Sequence, residues 1–193
     1  MTQVELEAKL GKWNGNNFVS GVSREHFVYY HDMLYSYKGW TNLKDIDCWV
    51  SMFDYMLPNN VRCTKTSKGN LFIRKTLLEN ITFQCKDRPY DVRFSLKEEV
   101  PVEVRTPGTP NLVRVKKRKT FVYKGKMQFD LTMVWTGQNE HEAHDNEPTY
   151  EVELECLNRR ELGTDHIYTA QSMLEKMIDL LGRDMPLKDL VLV

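Results

Sequence analysis

Glutamates at alternate positions form two clusters, one near each end of the sequence. Near the start, Glu5 and Glu7 alternate with apolar residues, and Lys9 continues their face. Near the end, the alternating glutamates are Glu151, Glu153 and Glu155. Side chains of a β-strand alternate between two faces, so each cluster lies on one face, with about 7 Å between neighbouring carboxylates. Like charges at this spacing repel, and the pattern therefore favours a bound hard divalent cation such as Mg²⁺ or Mn²⁺, which prefers oxygen ligands.

Cations are sorted in the same way on other strands. Arg114, Lys116 and Arg118 alternate on one face of a single run, and Arg62, Lys75 and Arg93 occupy comparable positions elsewhere. Guanidinium groups bind phosphate in a bidentate manner and ammonium groups act as point charges, so these cations suit a phosphate chain. On the outside of a sheet, solvent would screen such charges. Sorting by sign on three strands instead favours the lumen of a closed barrel, with an acidic floor and basic walls.

Helical spacing predicts three helices that flank these strands. Ser23 caps the first and Asn42 the second, and the third follows Asp165 and stops at Gly182. The apolar stripes are Phe27, Tyr30 and Leu34 in the first, Ile46, Trp49, Val50, Phe53 and Leu57 in the second, and Ile167, Ala170, Met173, Leu174, Met177, Ile178 and Leu181 in the third. These stripes are typical of core-facing helices.

Most of the remaining sequence alternates with period two. Hairpin connections are predicted at 67–70 and 123–127, and loops at 107–110 and 137–148. Residues 190–193 form either one more short strand or a tail. The fold class is therefore α+β and mostly β, with an antiparallel sheet that curls or closes into a barrel.

Length and composition limit the class of protein. The 193 residues contain no repeat or linker, so a single domain over 1–193 is expected. No apolar run approaches the roughly 20 residues of a spanning helix, and membrane association is not expected. The four cysteines form no CxxC pair, which favours reduced thiols in an intracellular protein. The 27 basic and 27 acidic residues sum to zero, but a sum hides their arrangement.

Three charged motifs follow one another along the chain: Glu5-x-Glu7-x-Lys9, Arg114-x-Lys116-x-Arg118 and Glu151-x-Glu153-x-Glu155. In this order they resemble the motifs of the metal-dependent RNA 5′-triphosphatases of fungal and protozoal mRNA capping, within the triphosphate tunnel metalloenzyme superfamily. The likeness runs over nearly the whole chain. Further matches are Asp130-x-Thr132, Asp91-x-Arg93-x-Ser95 and the hairpin with Arg62 and Arg74-Lys75. The resemblance implies a closed eight-stranded antiparallel tunnel. It also implies an enzyme that removes the γ-phosphate from 5′-triphosphate RNA and that hydrolyses nucleoside triphosphates with Mn²⁺.

The resemblance also implies roles for individual residues. Glu5, Glu7 and Glu155 would bind Mg²⁺ or Mn²⁺, while Glu151 and Glu153 would lie around the metal or orient the attacking water. The remaining site residues would bind the triphosphate: Lys9, Arg62, Lys75, Arg93, Arg114, Lys116, Arg118, Asp130 and Thr132. Either Arg74 or Lys75 faces inward, because a slip of one residue exchanges the faces. A nuclear monomer with RNA and a capping guanylyltransferase as partners is expected.

Other interpretations remain open at this point. Inorganic triphosphatases, thiamine triphosphatases and adenylyl cyclases share the tunnel, and a non-catalytic barrel could bind phosphorylated ligands or RNA. His141 and His144 lie in a polar segment, where a surface loop is expected rather than a metal site. Cys156 alternates onto the apolar face beside Glu155, so a buried thiol is expected. Lys117 and Lys119 are expected to point outward.

Overall fold

Ten strands and three helices make up the part of the chain that the computed structural model describes, residues 2–106, 108–157, 165–182 and 190–192. The strands are β1 (Gln3–Trp13), β2 (Phe18–Ser20), β3 (Val50–Leu57), β4 (Val61–Thr66), β5 (Gly69–Cys85), β6 (Asp91–Pro101), β7 (Leu112–Tyr123), β8 (Met127–Gly137), β9 (Thr149–Cys156) and β10 (Leu190–Leu192). The helices are α1 (Arg24–Ser36), α2 (Glu140–Asp145) and α3 (His166–Leu181).

Eight of the strands close into an antiparallel ring. The order around the ring is β1, β6, β5, β4, β3, β7, β8 and β9, and β9 pairs with β1 again. β2 extends the sheet beside β1, and β10 pairs with β5. The predicted closed eight-stranded barrel is confirmed, and residues 190–192 are a strand.

The first and third predicted helices are confirmed. The Ser23 hydroxyl accepts a hydrogen bond from the backbone N–H of His26 and caps α1, which buries Phe27, Tyr30 and Leu34. Gly182, with a φ of 122°, ends α3. Among the described residues, no helix is long and apolar enough to cross a bilayer.

The second predicted helix is wrong. Residues 43–47 form a turn, and Val50–Leu57 is strand β3, paired with β4 and β7. Asn42 instead bridges to β7, where its amide donates to the Thr120 carbonyl and accepts from the Val122 N–H. The helical spacing of the apolar residues was coincidental. Pairing on both sides of β3 is needed to close the ring and overrides that local pattern.

The segment predicted as a loop at 137–148 contains the short helix α2. The Asn139 side chain accepts from the Glu142 N–H, and the Glu142 carboxylate accepts from the Gln138 N–H. These two capping hydrogen bonds define the start of the helix, although the polar composition of the segment favours a loop. The hairpin at 123–127 is confirmed: three residues, 124–126, connect the paired Tyr123 and Met127, with positive φ at Lys124 and Gly125.

The apolar core lies outside the barrel rather than inside it. On β1, Ala8 and Leu10 are fully buried, whereas Glu5, Glu7 and Lys9 share the opposite face. The outward face packs with α1 and α3 into one hydrophobic cluster that includes Phe27, Met173 and Met177. The helices therefore cover the apolar outer face of the barrel and leave the lumen to charged side chains.

Gly11 is required where β1 meets β2. A Cβ at this position would lie 2.3 Å from the Val19 carbonyl oxygen and 2.6 Å from the Phe18 ring. We expect Gly11→Ala to lower the free energy of unfolding by about 1–3 kcal/mol, because the backbone must shift to relieve this contact. Gly108→Ala is the matched control, since its Cβ would meet nothing within 4 Å. Equal denaturation midpoints for the two variants would contradict the close packing at Gly11.

Candidate active site

The barrel lumen holds a cavity of about 350 Å³. The residues that line it are Glu5, Glu7, Lys9, Met56, Asn60, Arg62, Lys75, Lys97, Glu99, Arg114, Lys116, Arg118, Asp130, Glu151, Glu153 and Glu155. Seven of these side chains are acidic and seven are basic. The formal charges of the side chains that line the cavity therefore sum to zero.

Glutamates of β1 and β9 meet at one side of the lumen. The two strands are neighbours, and their register places Glu7 opposite Glu155 and Lys9 opposite Glu153. Directly opposite residues of an antiparallel pair have Cβ atoms about 5 Å apart. The alternation in each strand therefore gathers both acidic clusters on one part of the wall.

Lysines neutralise the carboxylates of β1. Lys9 Nζ lies 2.9 Å from Glu7 and 3.4 Å from Glu153, and Lys97 also pairs with Glu7. Burial would raise the pKa of Glu7, but these two ammonium groups outweigh that effect and lower it to about 2. Lys75 bridges Glu5 and Glu99 at 2.7 and 2.6 Å.

The basic strand β7 lies two strands from β9 in the ring, with β8 between them. The Arg114 guanidinium lies 2.6 Å from Glu151, and Lys116 pairs with Asp54 of β3. Arg118 lies 3.0 Å from Asp130, and its Nε donates to the Thr132 hydroxyl at 3.1 Å. Each of these three cations is thus held by an oxygen of another strand, which restricts its position.

Lys116 lies between Arg114 and Arg118 on the lumen face of β7, and each of the three is paired with a carboxylate. Burial and the neighbouring Arg114 lower the pKa of Lys116, with Arg118 adding to the effect, although the Asp54 carboxylate opposes it. An anion placed between these side chains would relieve the repulsion. The local electrostatics therefore favour an anionic ligand at β7.

Arg62 on β4 is a second cation suited to an anionic ligand. Its Nε is buried and has no hydrogen-bond partner among the described residues, and its Nη2 is 4.0 Å from Glu99. A buried guanidinium N–H without an acceptor is costly, and a phosphate oxygen in the cavity would satisfy it.

The predicted site residues line this cavity, with the exceptions of Arg93 and Thr132. Thr132 is fully buried behind Arg118 and accepts its hydrogen bond. Arg93 lies toward the end of the lumen, with its guanidinium over the rings of Phe18 at 4.4 Å and Trp13 at 5.8 Å. Burial lowers the pKa of Arg93. The chemical roles of all these residues remain predictions.

The structure settles which residue of the Arg74-Lys75 pair faces inward. Lys75 is opposite Glu99 of β6 in register and lines the cavity. Arg74 is opposite Val61 on β4 and lies on the outer face, where it is exposed. Past a bulge between Leu77 and Glu79 the register of β5 shifts.

Sequence reasoning missed two charged residues at the site, Asp54 and Lys97. Asp54 was missed because β3 was predicted as a helix. Lys97 and Glu99 continue the alternation of Asp91, Arg93 and Ser95 along β6, but Glu98 between them makes an unbroken charged run. Extending the period of two by one step beyond Ser95 would have found Lys97.

The chemistry of the donor set fits a hard divalent cation. Glu5, Glu7 and Glu155 line the same cavity and offer carboxylate oxygens, the ligands that Mg²⁺ and Mn²⁺ prefer. Within the described part of the chain, no three acidic, histidine or cysteine side chains converge on a single point. Lysine ammonium groups instead hold Glu5 and Glu7, as the ion pairs above show.

Known proteins match the chain in both sequence and fold. The mRNA-capping enzyme subunit beta of Candida glabrata is 30% identical over 98 residues, which span 47% of this chain and 16% of that protein. S. pombe Pct1 RNA triphosphatase has a TM-score of 0.73 at 19% identity, covering 93% of this chain and 84% of that one. The Mimivirus capping enzyme triphosphatase has a TM-score of 0.63 at 14% identity, covering 93% and 89%.

The two structural matches establish the tunnel fold, and the sequence match is with a capping enzyme subunit. A family model described as mRNA capping enzyme, beta chain, matches residues 31–181, which include every barrel strand except β1. The chain belongs to the mRNA capping enzyme beta chain family.

Proposed function

We propose that this chain removes the γ-phosphate from the 5′-triphosphate end of RNA, the first step of cap formation. The observation that carries the proposal is the closed lumen, in which the cations of β7 and the glutamates of β1 and β9 line a single cavity. Membership in the capping enzyme family supports RNA as the polymer that carries the triphosphate.

The cations of the lumen would bind and orient the phosphate chain. Arg114 and Arg118 offer forked donors for phosphate oxygens, while Lys116 adds a buried point charge. Arg62 supplies the N–H that has no acceptor among the described residues. Fixed donors of this kind stabilise the charge that develops on the transferred phosphoryl group, and they require no rearrangement when the reaction occurs.

The carboxylates of β1 and β9 would hold the cofactor. We propose that Glu5, Glu7 and Glu155 bind Mg²⁺ or Mn²⁺, which when bound neutralises phosphate charge as a Lewis acid. Lys9, Lys75 and Lys97 pair with Glu5 and Glu7. With these carboxylates as metal ligands, the three ammonium groups would be available to pair with phosphate oxygens.

Glu153 is suited to orient the attacking water. Burial would raise the pKa of Glu153, but the charges of Lys9 and Arg118 lower it overall, so the carboxylate stays ionised. It would accept a hydrogen bond from water and hold its oxygen in line with the γ-phosphorus. The bond from the γ-phosphorus to the bridging oxygen would break as the new bond to water forms, the proton of the water would pass to the released phosphate, and RNA with a 5′-diphosphate would remain. Glu151 would act by holding Arg114 in place.

We further propose that the chain works beside a capping guanylyltransferase in the nucleus. The family description as a beta chain, and the name subunit beta for the relative, support a multi-subunit capping enzyme. The diphosphate end produced by this chain is the substrate class that a guanylyl-transferring partner consumes.

Activity can be tested by phosphate release from triphosphate-ended RNA, ATP and inorganic tripolyphosphate. We expect release from RNA with Mg²⁺ or Mn²⁺, release from ATP with Mn²⁺, and loss of both on chelation, because the phosphate charge is then not neutralised. Restoring the metal should restore activity. Hydrolysis of tripolyphosphate but not of RNA would favour an inorganic triphosphatase, and binding without release would indicate a non-catalytic barrel.

Glu7→Gln tests the metal assignment. We expect phosphate release to fall by at least 100-fold, since the amide is a poor ligand for Mg²⁺, while the circular dichroism spectrum stays the same. Glu147→Gln is a control with the same change at an exposed loop position. Glu7 would be excluded as a ligand if Glu7→Gln kept full activity at every metal concentration, including limiting ones.

Lys75→Ala and Arg74→Ala form a matched pair on one strand. Lys75 lines the cavity and Arg74 points to solvent, so only the former should weaken tripolyphosphate binding, by about tenfold for one lost charge-assisted contact. Isothermal titration calorimetry measures both affinities. The inward assignment is refuted if Arg74→Ala has the larger effect.

A further inference from the structure

A second cation site lies on the outer face of β7, on the opposite side of the wall from the lumen. Lys119 points outward beneath α1 and is only 5% exposed. Among the described residues, no carboxylate lies within ion-pair distance of its ammonium group. The ammonium instead lies over the rings of Trp49 at 5.2 Å and Tyr35 at 5.5 Å. Lysine is rarely buried without a counter-ion, so this site has positive charge available for an anion.

Lys119 lines a cavity of about 370 Å³ between α1 and the barrel. Arg24 at the start of α1 adds a second cation, and none of the described residues lining the cavity is acidic. Phe27, Trp49 and Tyr150 supply aromatic surface. The cavity thus combines flat apolar walls with positive charge and is complementary to a ligand that carries a ring and an anion.

His31 adds a polar atom to this cavity. Its Nδ1 lies 3.0 Å from the Asp32 carboxylate, while its Nε2 is buried and has no hydrogen-bond partner among the described residues. The imidazole stacks on Trp49 with ring centroids 6.0 Å apart. A ligand that reached the cavity could therefore both stack and hydrogen-bond, as a nucleobase does.

A lysine ammonium group beside an aromatic ring occurs a second time along β7. Lys117, two residues before Lys119, lies on the same outer face and places its ammonium 5.9 Å from the Trp135 ring. Alternate residues of a strand are about 7 Å apart, so the two cation and ring pairs form a line. Basic residues interleaved with aromatic rings are typical of surfaces that bind single-stranded nucleic acid.

We propose that this outer site binds a nucleotide of the single-stranded RNA downstream of the 5′ end. The base packs against Trp49, and its phosphate pairs with Lys119 and Arg24. A phosphopeptide would match the charge, but a line of two cation and ring pairs fits a repeating chain of bases and phosphates better. The identification of the polymer as RNA rests on the proposed function.

RNA with a 5′-hydroxyl end tests this site separately from the lumen, because it carries no γ-phosphate. We expect Lys119→Met and Arg24→Gln to weaken its binding, measured by fluorescence anisotropy, by about five- to tenfold. Each variant should also reduce the slope of log affinity against log salt by about one. Lys65→Gln, at an exposed position of β4, is the control for a lost charge.

Hydrolysis of inorganic tripolyphosphate should remain unchanged in Arg24→Gln, which shows that the lumen is intact. Arg24 is exposed, so this variant keeps the test valid if Lys119→Met does not fold. RNA affinity equal to that of Lys65→Gln would overturn the proposal. So would loss of binding to a phosphotyrosine peptide with no loss of RNA binding. Failure of the proposed activity would appear separately, as absence of phosphate release from triphosphate-ended RNA by the unsubstituted protein.

Discussion

Charge neutrality inside a closed lumen is the constraint on which the rest of this structure depends. Buried ionic groups are rarely tolerated unless they are paired, and fourteen charged side chains of both signs line one cavity. The pairs are distributed around the ring: Lys75 joins β5 to β1 and β6, and Lys116 joins β7 to β3. Closing the barrel and balancing the charge are therefore one structural problem.

The polar lumen also determines where the apolar core must lie. A barrel of this size is usually filled with apolar side chains, but here the lumen is charged and the apolar faces of the strands point outward. They need cover, which α1 and α3 provide. Where α1 leaves a gap over β7, the outward Lys119 lies between aromatic rings. The outer cavity is thus a consequence of the same inside-out arrangement.

The sequence was most informative where charged and apolar residues alternated without interruption, as in β1 and β9. It failed at β3, because Ile46, Trp49, Val50 and Phe53 match a helical stripe and the single inward charge, Asp54, has no charged residue two positions away. It also left the facing of Lys75 open. Only the register with Glu99 decides that, and pairing between strands is not encoded in either strand alone.

The zero net charge of the lumen also determines which ligands it can bind together. A triphosphate adds several negative charges to a cavity that already balances its own, so the cations that receive it must release carboxylates. Those carboxylates, Glu5 and Glu7 among them, then need another positive partner, and a divalent ion is the partner that their oxygens prefer. Phosphate and metal should therefore each increase the affinity for the other, because coupling between two sites is reciprocal.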